Sequence, residues 1–312
     1  NARNTLKKQT MEWLTGVAES RKTHLLEFIE GRKGMAEVHS ADMSGQKSLI
    51  HALEKIKRGE AIEPDVFITH NSHLKKEAEQ FSHTLTMVII DMNGVVVAAT
   101  HEAMIGRDVS GNETFIKGSK GTNVELYRSS PYLEGAGCIC ISTPITSEES
   151  GETVGVLSTV YNLTVLNEIT AIRAGMGETG EIVLGRREGD NIVFLNSLRY
   201  APDAPLSLSV PLGTGEAEPM ELALKRSGGA VIATDYRGVD VLAAYQYIPS
   251  MDWGLVAKID KSEAFAPIRT LGIVALIIGL VSAAAVTSVG IVFAFSTARP
   301  IRSLACRTSV RF

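Results

Sequence analysis

The stretch MVIIDMNGVVVAA, residues 87–99, decides the fold. Two apolar, largely β-branched runs, Met87 to Asp91 and Val95 to Ala99, flank Asp91-Met92-Asn93-Gly94. β-Branched side chains favour strands because they pack well on a pleated, half-buried surface. Asn-Gly between two such runs predicts a hairpin closed by a type I′ turn, which needs positive φ at both central residues. A short helix is predicted next, near Asn112 to Gly118. Two long strands follow, Gly137 to Ile145 and Glu152 to Asn162, joined by the polar turn Ser147 to Gly151. Hairpin, helix and antiparallel strands in this order make an α+β domain around an antiparallel sheet.

The order then recurs. Glu181 to Leu184 and Asn191 to Leu195 flank the turn Arg187 to Asp190, a helix follows near Glu218 to Arg226, and strands are predicted at Ala230 to Asp235, Val239 to Ile248 and Trp253 to Ile259. The closing strands resemble each other, Val154-Gly-Val-Leu-Ser-Thr-Val160 against Trp253-Gly-Leu-Val-Ala-Lys-Ile259. Each leads into a short helix, Leu163 to Ile169 and Ser262 to Thr270. Internal similarity of this kind marks two tandem domains of one type.

Upstream of the hairpin the period is helical. Leu6, Trp13, Val17, His24 and Phe28 predict a helix from residue 1 to about 31, ended by Gly31 and Gly34. A second helix, Ser44 to Arg58, carries Leu49, Ile50, Leu53 and Ile56 on one face, and a third, short one is expected near His73 to Gln80.

Downstream, Leu271 to Phe295 is an uncharged run of 25 residues. At ~1.5 Å per helical residue it spans roughly 37 Å, enough to cross a hydrocarbon core of ~30 Å with some tilt. Arg299, Arg302, Arg307 and Arg311 follow it with no acidic residue among them, whereas Lys258, Asp260, Lys261, Glu263 and Arg269 before it are mixed in sign. Positive flanks face the cytoplasm. Residues 1–270 are therefore expected in the periplasm or extracellular space, and 296–312 in the cytoplasm. The chain begins at Asn1, not at Met, so it reads as processed or cut, and whether a signal peptide or first span preceded it is left open by the sequence.

Composition excludes some classes. A net charge of -4 without a long basic tract argues against nucleic acid. Cys138 and Cys140 read as small core residues rather than a metal site or redox pair. His70 and His73 read as exposed polar residues with no third ligand at suitable spacing, so no metal and no cofactor are expected. There is no Ser/His/Asp set, carboxylate pair or phosphate loop to suggest an enzyme, and Gly175-x-Gly177 falls in an inter-domain loop.

The external part resembles the double Cache sensor family, the extracytoplasmic ligand-binding region of many bacterial and archaeal receptors. The segments that carry the resemblance are Ile105-Gly-Arg-Asp-Val-Ser-Gly-Asn-Glu-Thr-Phe115, Ile141-Ser-Thr-Pro-Ile145, Gly155-Val-Leu157, Tyr236-Arg-Gly-Val239 with Val241-Leu-Ala-Ala-Tyr245, and Trp253-Gly-Leu-Val-Ala-Lys-Ile-Asp260. After the span, Arg299-Pro-Ile-Arg-Ser-Leu304 resembles the opening of a HAMP signalling linker, truncated here. The resemblance implies a helical region at 1–84, a membrane-distal domain at 85–170, a membrane-proximal domain at 171–270, the span at 271–295 and the linker at 296–312. It also implies a homodimer joined through the first helix and the span, and an output of histidine-kinase, chemoreceptor or diguanylate-cyclase type.

In this family the distal domain usually holds the ligand. Members that bind amino acids place an Arg and an aromatic in the segment matching Asn112 to Phe115, a Tyr near Tyr127 and an Asp on the last strand. Here Asn112 stands in place of the Arg and Val160 in place of the Asp, while Phe115 and Tyr127 are kept. A zwitterion leaving water requires a countercharge at each end, so the expected ligand is a small molecule other than a free α-amino acid. The expected site is Asn112, Thr114, Phe115, Tyr127, Arg128, Ser129, Tyr132, Val160 and Tyr161. Arg128 is a possible compensating charge, although an Arg in a turn is usually solvated. In the proximal domain Tyr236, Arg237, Tyr245 and Tyr247 read more readily as residues at the core's edge than as ligand contacts. The alternative reading is a membrane-anchored interaction or adhesion module without a small ligand.

Overall fold

The computed structural model describes residues 2–132, 137–171 and 175–308, with backbone only for Pro64 and for 294–308; residues 309–312, Arg311 among them, lie outside the described residues. Thr10–Lys261 forms one compact unit, and the first helical turns with the segment from Ser262 form a second.

In the larger unit, helix α1 (Ala2–Ser44, entering from the other unit) is followed by α2 (Lys47–Lys57) and α3 (Ile68–Ala78). The first sheet is built from β1 (Thr84–Asp91), β2 (Val96–Ala99), β3 (Asn123–Tyr127), β4 (Cys138–Thr146) and β5 (Thr153–Asn162), with helix α4 (Glu113–Gly118) between β2 and β3. Its order is β2-β1-β5-β4-β3, every pair antiparallel. After α5 (Thr164–Ala171) come β6 (Glu181–Glu188), β7 (Asn191–Phe194), β8 (Ser209–Pro211), α6 (Glu218–Leu224), β9 (Gly229–Thr234), β10 (Asp240–Ile248) and β11 (Trp253–Asp260). The second sheet runs β8-β7-β6-β11-β10-β9. Without the edge strand β8, this is the order of the first sheet. The chain is thus two tandem α+β domains of one type behind a long helix, as the sequence predicts.

One residue of phase corrects the internal alignment. A Cβ on Gly155 would meet Leu53 of α2, whereas one on Gly254 would meet Met220 and Ala223 of α6. The two glycines lie on opposite faces of their sheets, because successive strand residues alternate. The closing strands are equivalent, but the sequence match sets them one residue out of step.

Four further corrections concern local chemistry. Helix α1 runs through Gly31 and Gly34, where an added Cβ would meet open space. Each Gly costs about 1 kcal/mol relative to Ala, too little to end a helix that buries Leu25, Ile29, Ala36 and Met43. The turn at Asp91 is not type I′. Gly94 has φ +83°, Asn93 keeps negative φ, and the Asp91 carboxylate accepts the N–H groups of Asn93 and Val95, both at 2.9 Å. An Asx turn thereby replaces the second positive φ. His70 is buried, not exposed; burial depresses its pKa, so the ring is disfavoured as a cation. Strands β3 and β8, unmarked by long apolar runs, were not expected.

In the other unit, α7 (Lys261–Ala264) leads into α8 (Ala266–Thr308). Ala266–Phe293 is long and apolar enough to cross a membrane, and none of its most apolar stretch is buried. The Arg3 guanidinium lies 5.2 Å from the centre of the Phe265 ring.

Candidate functional site

Strand register decides which side chains share a face. On the side of the first sheet that faces α4, β5 presents Val156, Ser158 and Val160; β1 presents Thr86, Val88 and Ile90 opposite them; β4 presents Cys138, Cys140 and Ser142; β3 presents Tyr127 and Glu125. Met104, Val109, Tyr132 and Phe115 close over this floor as one apolar cluster. Cys138 and Cys140 are buried free thiols with sulfurs 3.7 Å apart, and burial pushes the Cys140 thiol well up.

Helix α4 is pinned to the floor by hydroxyls. The Thr114 N–H and Oγ1 both donate to the Tyr127 hydroxyl, at 3.0 and 2.7 Å, and Ser142 Oγ donates to the Thr114 carbonyl at 2.8 Å. Burial raises the Tyr127 phenol's pKa, and Thr114 opposes this in part. Gly118 permits the close approach, since a Cβ there would lie 2.5 Å from Ser142 Oγ.

The floor also carries unsatisfied polarity. The Tyr132 hydroxyl lies beside Ser158 Oγ, and both are buried with no well-aligned hydrogen bond among the described residues. Burial drives the Tyr132 phenol's pKa far up, so it remains a neutral donor. Of the charged groups on this face, Glu125 is held at its edge by Lys117 at 2.6 Å. At the other edge, the Arg107 guanidinium donates to the Tyr132 carbonyl at 3.2 Å.

The expected site residues divide. Thr114, Phe115, Tyr127, Tyr132 and Val160 meet in this cluster, with Asn112 half-buried at the start of α4. Three do not join them. Tyr161 points to the opposite face, where the Arg32 guanidinium lies 5.2 Å from its ring centre. Arg128 is exposed and bonds Glu188 of β6 at 2.7 Å, and Ser129 is exposed beside it. Ser158 was missed, although the two-residue period from Val160 points straight to it.

The second sheet is the reverse in character. On its α6 side, Lys258 is buried between Glu181 at 2.8 Å and Asp235 at 2.6 Å. Arg237 bridges Asp235 and Asp260, and the Tyr236 hydroxyl donates to Glu181 at 3.1 Å. Burial alone would raise the Asp235 carboxyl, but Lys258 and Arg237 hold it below the usual carboxylate range. The adjoining cavity, lined by Phe194, Met220, Tyr236 and Lys258 among others, measures about 10 Å³, room for about one water. Tyr236 packs on Phe194 at 5.5 Å. This arrangement closes on itself as a polar core.

The family follows from fold and sequence together. The chain matches the double Cache model, described as Cache domain, over residues 2–268, and it belongs to that family. Solved sensor domains share the architecture. The ligand-binding domain of the Campylobacter jejuni chemoreceptor Tlp3, in complex with L-valine, is 13% identical with a TM-score of 0.59, covering 84% of this chain and 96% of that one. The V. cholerae histidine kinase DctB sensor domain is 12% identical with a TM-score of 0.57, covering 83% and 98%. The Pseudomonas fluorescens chemoreceptor CtaA domain, in complex with L-isoleucine, is 17% identical with a TM-score of 0.55, covering 85% and 98%. Identities this low speak to the fold alone. No curated protein is matched by sequence.

Proposed function

We propose that this chain is the sensing region of a transmembrane signalling receptor, and that its first Cache domain binds a small uncharged organic molecule between the sheet and α4. One observation carries the reading. The floor under α4 is largely apolar, yet it holds two buried hydroxyls, Tyr132 and Ser158, that have only each other nearby and make no well-formed hydrogen bond among the described residues. A buried donor left unpaired costs about 1–3 kcal/mol. A ligand bearing one polar group on an apolar body would recover that cost. An α-amino acid would bring two charges to a floor where Asn112 and Val160 stand in place of the countercharges that amino-acid-binding members carry, and an unpaired buried ion costs several kcal/mol.

In this reading the ligand stacks on Phe115 beside Tyr127 and leans on Val160, while Arg128 and Tyr161 take no part. Because β11 continues through α7 into α8, a shift of the proximal domain would be carried covalently into the span. A ligand can bias two arrangements only by its difference in affinity for them. The sensing part would lie outside the cell, the chain would pair as a homodimer, and a kinase, chemoreceptor or cyclase output would respond inside.

The test is a thermal-shift screen with amino acids, organic acids and neutral heterocycles, repeated on Phe115→Ala and Ser158→Ala. The expected outcome is an uncharged hit whose shift disappears in Phe115→Ala. An adhesion module would show no hit at all.

A further inference from the structure

The other face of the first sheet carries α3, and α3 meets the last turns of α1. Two side chains from α3, His73 and Glu77, lie one helical turn apart and so on one face. Asp42 of α1 reaches the same point. His73 Nε2 is 3.0 Å from Glu77 Oε1 and 3.6 Å from Asp42 Oδ2. One donor atom from each of the three residues falls within 4.8 Å of the others.

We propose that Asp42, His73 and Glu77 form a binding site for a divalent transition-metal ion, with zinc the best fit. The geometry is the first argument. Bonds of about 2.0–2.2 Å in a tetrahedral arrangement set donor atoms about 3.3–3.6 Å apart, and the two separations from His73 Nε2, 3.0 and 3.6 Å, bracket that range. The second argument is independent of it. His73 Nε2 and Glu77 Oε2 are buried atoms with no hydrogen-bond partner among the described residues, because the 3.0 Å approach of Nε2 to Oε1 is misaligned for a hydrogen bond. Two metal-binding atoms are thus buried without a hydrogen bond, a costly arrangement that a cation would relieve.

Chemistry narrows the choice. A neutral imidazole with two carboxylates gives a donor set of charge -2, which balances a divalent ion. Imidazole favours zinc, nickel and cobalt over calcium and magnesium, which prefer all-oxygen shells. The Asp42 side chain is 60% exposed and that of His73 40%, so an ion enters directly from solvent and keeps room for water. His39 Nδ1 stands 3.8 Å from Glu77 Oε2, with its ring 5.5 Å from that of Phe81. It is a positioning group for Glu77, as neighbours of metal ligands commonly are. An ion held here joins α1 to α3, on the sheet face opposite the organic site, and gives the receptor a second input.

The test uses the full chain in detergent micelles after chelator treatment, titrated with zinc and with cobalt(II). The expected result is one ion per chain, a raised melting temperature with zinc, and a cobalt spectrum of nitrogen and oxygen ligation. His73→Ala and Glu77→Gln should each weaken binding by at least about 100-fold, and His39→Ala by about tenfold. Glu77→Gln preserves shape, so a circular dichroism spectrum unchanged from wild type separates lost binding from lost folding. Cys138→Ser with Cys140→Ser should leave the titration unchanged. Absence of binding at 100 micromolar metal, a thiolate charge-transfer band, or undiminished binding in both α3 variants would each overturn the proposal.

Discussion

Replacing Lys258 by Met measures what the buried ion network contributes. Methionine keeps the length and apolar stem of the lysine, so packing changes little. The charge is what is lost. Glu181 loses its 2.8 Å partner and Asp235 its 2.6 Å partner. Asp235 retains Arg237 at 2.7 Å, and among the described residues Glu181 retains only neutral donors, such as Tyr236. Breaking a buried pair costs about 3–5 kcal/mol; the surviving Arg237 contact places this variant near about 3 kcal/mol. At about 2–4 °C per kcal/mol for a chain of this size, the melting temperature falls by about 6–12 °C. The pH dependence carries the sharper prediction. In the wild type the Asp235 carboxyl is depressed, so its stabilisation is complete above the unfolded value near about 4 and is lost as pH falls through the folded value. In the variant, Glu181 stays buried but loses its cation, an uncompensated charge whose cost acid relieves. The gap between variant and wild type must narrow between pH 7 and about pH 4.5. Urea unfolding followed by circular dichroism reads both quantities. A gap below about 1 kcal/mol at pH 7, or one that widens on acidification, would refute the reasoning.

Three other outcomes follow from the structure. Tyr127→Phe leaves the buried Thr114 N–H and Oγ1 without their acceptor and should cost about 1–3 kcal/mol in unfolding experiments. Gly118→Ala drives a Cβ to 2.5 Å from Ser142 Oγ; it should lower stability by about 1–3 kcal/mol and, by lifting α4, abolish any ligand-induced thermal shift. For orientation, a cysteine at Glu149, exposed in the β4–β5 turn, should react with an impermeant maleimide on intact cells, while one at Arg302 should react only after lysis.

Much of the fold was legible because hydrophobic period reports burial directly. The runs at Met87 to Ala99 and Trp253 to Ile259 could be little else than buried strands, and the uncharged stretch after Leu271 could hardly be read as anything but a long apolar helix. What was lost is what depends on partners remote in sequence. Gly31 and Gly34 look like helix ends until the packing of Leu25 and Met43 is known to hold α1 together. Strand β3 is short and half-polar, and only its pairing with β4 defines it. The site was half legible. Resemblance brought out Phe115 and Tyr127, but Val160 and Tyr161 were taken together although adjacent strand residues face opposite ways. Arg128 looked like an available cation because Glu188, its partner, is 60 residues away. His73 looked idle for the same reason, since Asp42 comes from another helix.

The floor beneath α4, with Asn112 and Val160 where amino-acid-binding members carry charges, is expected to refuse the zwitterions that solved sensor domains of similar fold hold. Calorimetric titration of the chain with L-valine tests it most directly. No heat of binding is expected up to millimolar L-valine, in the wild type and in Phe115→Ala alike. A micromolar dissociation constant that is lost in Phe115→Ala would contradict it, by showing that this pocket pairs both charges of an amino acid after all.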